Sequence, residues 1–210
     1  MRPSSAPFRL LAQGAGVCVL AVLVGCSPGL DWRDVSLTEV DGLRVRFPCA
    51  PDEAEQPLPW PGEEAPRMAR VHHCLAGGKT WVVQTVTVDD LAQVPPTLAT
   101  WQTLLSGNLK QALGGAAAEV ATVSEAEEVD VPGMDTDHPA MAHDLAAGPV
   151  QAPGEPPDAV PHTWRRVRAW HFAHGHRVFE VAVWSVEDHK PAQTGEDVTR
   201  PFFAGLKFPG

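Results

Sequence analysis

Three histidines fall within six residues, His171-Phe-Ala-His174-Gly-His176. Imidazole nitrogens converging at about 2.0–2.1 Å would hold zinc or copper. The spacing argues against convergence, because the run crosses the tip of a predicted hairpin in which residues 172 and 176 are opposed. His171 and His176 then point to different faces, and the expectation is exposed turn histidines with one half-buried ring, no metal and no cofactor. His72 and His73 are strand neighbours and also diverge, while Asp135, Asp137, His138 and His143 surround a turn without ligand spacing. A second group, Trp164, Arg166, Arg168 and Trp170, shares one strand face. Arginine between tryptophans can stack on a ring and offer a fork to a carboxylate or phosphate, which makes this a candidate binding face. The competing reading pairs Arg168 with Glu180 and packs the tryptophans under a helix. No GxSxG, HExxH or phosphate-binding glycine loop occurs, so no catalytic residue is expected and the chain is read as a non-enzyme.

The elements that carry these groups follow from periodicity and turn residues. Residues 164–186 form a long hairpin with Ala173-His174-Gly175 at its tip, a three-residue loop ending in glycine. In that register Trp164 faces Trp184, Val167 faces Val181, Arg168 faces Glu180 and Ala169 faces Phe179. A two-residue loop would set Arg168 against Val181 and lose the charge pair. Upstream, residues 35–40 and 43–47 alternate around Asp41-Gly42 and predict a hairpin. Residues 67–75 and 80–88 predict another around Gly77-Gly78. Pro95-Pro96 opens a helix whose Leu98, Trp101, Leu105, Leu109 and Ala112 share one face, and Gly114-Gly115 stops it. Strands are expected at 119–131 and 140–146, a short helix at 196–204 and a terminal strand at 206–208. The segments 48–66, with six prolines and five acids, and 148–162, with five prolines, predict loops.

The cysteines divide by context. Arg2 and Arg9 precede an apolar run from Leu10 to Gly25, shorter than the ~20 residues a spanning helix needs. The run ends Leu23-Val24-Gly25-Cys26, which resembles the lipobox of bacterial lipoproteins, where the cysteine is acylated and becomes the first mature residue. That resemblance implies a signal peptide at 1–25, lipid on Cys26 and a tether at 26–33. Ser27 implies sorting to the outer membrane, periplasmic side. Cys18 would leave with the signal, so Cys49 and Cys74 remain as an even pair. In an oxidising compartment such a pair bonds, closing a loop and stabilising by roughly 3.5 kcal/mol. The alternative is two separate buried thiols. A bond also requires that strands 43–47 and 67–75 not be plain hairpin neighbours.

The chain has 210 residues and a net charge of −10. Losing residues 1–25 removes two arginines and no acids, leaving 14 basic and 26 acidic groups. That surplus of acids excludes a nucleic-acid binder, which needs cations against phosphates. Proline at 21 residues, about twice the usual fraction, excludes long uninterrupted helices.

The element order predicts a single α+β domain at 34–210, with a mostly antiparallel sheet, a central amphipathic helix and a short C-terminal helix. Gly42, Phe47-Pro48 and Pro51, the central helix, Pro132-Gly133, the late hairpin, Phe202-Phe203 and Phe208 occur in an order that resembles bacterial envelope proteins of PsbP-like fold. The resemblance implies an α/β/α sandwich and a non-catalytic interaction or assembly role, with an envelope protein as partner and the membrane engaged through the lipid. The alternative from another class is an envelope metal-binding or hydrolytic protein using the histidines at 171–176.

Overall fold

The computed structural model describes residues 29–113, 118–149, 163–188 and 197–210. The expected signal segment, Cys26 and residues 150–162 lie outside them. The strands are β1 (Arg33–Leu37), β2 (Leu43–Phe47), β3 (Asp52–Leu58), β4 (Arg67–Ala76), β5 (Lys79–Thr87), β6 (Ala118–Val129), β7 (Ala140–Pro149), β8 (Trp164–His174) and β9 (Arg177–Glu187). The helices are α1 (Val94–Gln111) and α2 (Arg200–Ala204). β1 and β2 form a two-stranded sheet, and the other seven form one antiparallel sheet in the order β3-β4-β5-β9-β8-β7-β6. The fold is therefore α+β, with a mostly antiparallel sheet, one main helix and one short one.

Both faces of the large sheet are covered, and strand alternation assigns each side chain to a face. Trp81, Val83, Phe172, Phe179, Val181 and Val183 pack against Leu43, Val45 and Phe47 of β2, Phe202 and Phe203 of α2, and the C-terminal Phe208. Ala169, Ala182 and Val167 lie on the other face beneath Leu105 and Leu109 of α1, and Val86 and Val178 lie beneath Trp101. Pro95 and Pro96 sit in the first turn of α1, where the missing N–H is not needed. Leu43, Val45 and Phe47 are buried while Arg44 and Arg46 point outward. The small hairpin thus acts as a lid over one half of the sheet.

Three expectations change. The β8–β9 loop has two residues, Gly175 and His176, because His174 pairs with Arg177. Gly175 has φ +55° and His176 no positive φ, as in a II′ turn, which matches the strand twist without a third residue. Arg168 consequently faces Val183, and Glu180 faces His171. Second, residues 52–58 of the expected proline-rich loop form β3, an edge strand on β4. Its outer edge tolerates Pro57, and six of its seven side chains are exposed, so neither hydrophobic alternation nor proline avoidance marks it. Third, the terminal strand is a single bridge between Lys207 and Arg44. In addition, residues 38–40 turn as a short 3-10 segment, so β1 begins and ends earlier than the alternation predicts.

Cys49 and Cys74 are bonded, with Cα atoms 6.1 Å apart. The bond joins the end of the small sheet to β4 of the large one, so β2 and β4 are indeed not hairpin partners.

Candidate functional site

Asp144 interrupts the small apolar side chains of β7, and its carboxylate is only 4% exposed. A buried carboxylate requires partners, since desolvating an isolated charge is costly. The β7–β8 register puts Arg168 directly opposite and Arg166 diagonal to it on the same face. Arg166 donates to both carboxylate oxygens, Nε to Oδ1 at 2.7 Å and Nη2 to Oδ2 at 2.5 Å. Arg168 donates to Oδ2 from Nη2 at 3.0 Å and from Nε at 3.3 Å. The hydrogen bond with Asp144 raises the Arg166 guanidinium above its ordinary value, burial notwithstanding.

Arg168 reaches further, to the segment that leads into α2. Its Nη1 donates to Thr199 Oγ1 at 3.2 Å and to Asp197. Burial pushes the Asp197 carboxyl up, but hydrogen bonds from Thr199 and the Arg168 charge outweigh it and leave the group below the usual carboxylate range. Trp170, two residues along, stacks on Phe203 of α2 with ring centroids 5.0 Å apart. Arg168 and Trp170 are thus the polar and apolar fasteners of α2 to the sheet. Trp164 is buried, and its indole lies so close to Gly148 that a β-carbon there would come within 2.3 Å of it.

Beside these fasteners a cleft of about 360 Å³ opens between β6, β7, β8 and α2. Trp170, Phe203, Ala142 and Ala204 form its apolar lining, and Ser124, Glu127 and Arg200 contribute polar side chains beside Asp144, Arg168 and Asp197. Glu127 and Arg200 are both exposed. The cleft is within the size range of small-molecule sites and sets two arginines, Arg168 and Arg200, and three carboxylates, Glu127, Asp144 and Asp197, around an aromatic floor. It can seat a side chain or small group carrying both a polar and a flat apolar part.

The four residues of the sequence-derived binding face do share one face, but their duties differ from the expectation. Arg166 and Arg168 are engaged by Asp144, and Arg168 does not pair with Glu180. Carboxylates at 144 and 197 take the place of Glu180 as partners of the arginines, and of the two tryptophans Trp170 packs against α2 while Trp164 packs against Gly148 of β7. Trp170 and Arg168 reach the cleft as well.

The histidines occupy three environments. His171 is fully buried beneath α1, with Nε2 2.9 Å from Glu180 Oε2, and Gln84 Nε2 donates to the other Glu180 oxygen at 2.6 Å. His174 lies on the opposite side of the sheet, stacked on Phe208 at 4.1 Å with Nδ1 3.8 Å from Asp135. His176 turns to the Val88 carbonyl at 3.1 Å. Among the described residues, no group of three or more His, Cys, Asp or Glu side chains is arranged to hold a metal ion.

Around His171 lies a polar island that sequence reasoning missed. The His143 ring is 5.4 Å from that of His171, and Trp101 of α1 is 6.5 Å from it. Burial pushes the His143 ring below its ordinary value, the neighbouring His171 adds to the shift and Glu180 opposes it. Of the members of both clusters, Asp144, Asp197 and Gln84 were missed, and Glu180 was assigned to Arg168 instead of His171. Asp144 and Gln84 are polar residues inside strands that are otherwise rich in apolar side chains, and such a residue needs a cross-strand partner.

A scan against protein-family models matches none, and a search of curated proteins finds no significant match.

Proposed function

We propose that this chain is a bacterial envelope lipoprotein of PsbP-like fold, a non-catalytic interaction or assembly module held at the outer membrane, on its periplasmic side, by lipid on Cys26. The observation that carries the interaction role is the cleft between α2 and β6–β8, with its Trp170–Phe203 floor and the exposed Glu127 and Arg200. The half-buried fasteners beside it are tied by hydrogen bonds and ring stacking, which pre-positions the Trp170–Phe203 floor and lowers the ordering cost of binding. The Cys49–Cys74 bond supports an oxidising compartment. The sandwiching of the sheet between α1 and the β1–β2/α2 layer supports the layer order implied by a PsbP-like fold. The alternative, a metal-binding or hydrolytic protein, needs His171, His174 and His176 to converge, and they occupy separate environments.

Two experiments test the reading. Mass spectrometry of the mature protein is expected to find a diacylglyceryl thioether on Cys26 as the first residue. Photocrosslinking from position 127 in intact cells is expected to give a discrete adduct with an envelope protein, lost in Phe203→Ala and in Arg200→Glu. An unacylated cysteine refutes the anchor, and an adduct indifferent to both substitutions refutes the cleft.

A further inference from the structure

The geometry points to the β4–β5 hairpin tip as a bilayer-contacting surface, an inference that rests on acylation of Cys26. The described chain begins fastened to this end of the molecule. Leu30 packs on the tip closely enough that a β-carbon at Gly77 would come within 2.9 Å of its Cδ2. The Asp31 amide donates to the Pro48 carbonyl at 2.8 Å, and Trp32 meets Trp81 edge-on at 5.5 Å. Four residues of chain from Cys26 to Leu30 reach at most about 14 Å, so acyl chains on Cys26 keep Leu30 and the tip beside the headgroups.

What the tip presents there suits a lipid surface. Gly77 and Gly78 both have positive φ, the pattern of a tight I′ turn that projects the tip as a narrow point. Leu75 is 76% exposed, the most exposed of the large apolar side chains among the described residues. By strand alternation it shares the α1 side of the sheet with Val71, and Val186 at the same end of β9 shares that side with Ala182 and is 53% exposed. Residues 75–80 contain no acid, in a chain whose net charge is −10, and Lys79 lies on the opposite strand face from Leu75, 4.0 Å from Glu187 of β9. Two exposed apolar side chains, Leu75 and Val186, on one face at this end of the sheet form an apolar contact that the headgroup–acyl boundary can bury. The occupant is therefore the bilayer carrying the protein's own anchor.

The experiment uses full-length processed protein reconstituted in vesicles of phosphatidylethanolamine and phosphatidylglycerol. A diazirine-bearing amino acid replaces Leu75 in one preparation and Met68 in another. Met68 is 56% exposed on the same strand, seven residues and roughly 23 Å away. Acylation is verified on the same samples by mass. Acylated protein with a several-fold higher lipid-adduct yield at 75 than at 68 supports the inference. Acylated protein with equal yields, or none at 75, overturns it while leaving the anchor intact. Protein without acyl chains overturns both.

Discussion

Replacing Asp144 with alanine tests the arrangement of the candidate site most directly. The carboxylate accepts four hydrogen bonds from two guanidiniums, and charge-assisted bonds contribute about 1.5–3 kcal/mol each in isolation. Removing one partner of a buried ion pair costs about 3–5 kcal/mol when the other is stranded. Here the arginines are not fully stranded. Arg166 and Arg168 keep 22% and 28% of their side-chain surface, and Arg168 retains Asp197 and Thr199. Solvent screening of the partly exposed partners brings the expected loss to about 2–3 kcal/mol. Urea denaturation measures it as a lower midpoint at unchanged slope. A double-mutant cycle between Asp144→Ala and Arg166→Ala is expected to show coupling of about 1 kcal/mol or more. The decisive comparison is with Glu180, the partner that a three-residue hairpin loop would give Arg168. A loss below about 0.5 kcal/mol for Asp144→Ala, together with strong coupling of Glu180→Ala to Arg168→Ala, would refute the β8–β9 register and with it the site.

Further expectations follow from other parts of the fold. Replacing Cys49 and Cys74 together by alanine is expected to cost about 3.5 kcal/mol, from the 25-residue separation of the bonded pair, read by denaturant midpoints with and without reductant. Burial holds His143 and His72 below their ordinary 6.5, so both states are neutral above that value and the unfolded chain takes up protons first below it. Stability should therefore fall as pH drops through about 6.5, and His143→Gln should flatten that fall in urea melts; an unchanged slope would contradict the burial of this ring. Gly148→Ala places a methyl against the rigid Trp164 indole and is expected to destabilise by about 1–3 kcal/mol, seen as a lower Tm.

Hairpins were legible wherever a glycine fixed the turn, as at Gly77-Gly78, and α1 was legible from the spacing of Trp101, Leu105 and Leu109. Register was not. One glycine at position 175 is compatible with either a two- or a three-residue loop, and the change re-pairs every residue of an eleven-residue strand. The attraction of an Arg168–Glu180 pair favoured the wrong register because local charge matching ignores what the next strand supplies, here Asp144 from β7. β3 was hidden for a different reason: an edge strand bearing charges and Pro57 has been shaped against pairing with other chains, so it looks like a loop. At the site, Arg166, Arg168 and Trp170 were recognisable by type and spacing. Their partners Asp144, Asp197 and Phe203 come from two other segments, β7 and the stretch that forms α2, and only tertiary packing could have joined them. Cys49 and Cys74 stood out because they were an even pair.

The strand order β3-β4-β5-β9-β8-β7-β6 also governs timing. Two meanders, one from each half of the chain, meet only where β5 pairs with β9, and Gln84 meets Glu180 ninety-six residues away. Until residues 177–187 have been synthesised and delivered, β5 is an open edge bearing Trp81 and Val83 with nothing to pair against. Contacts this distant in sequence form late and slowly. The first meander and its disulfide can assemble beforehand, so the nascent protein passes through a stage in which half a sheet waits, adhesive and unsealed, for its other half.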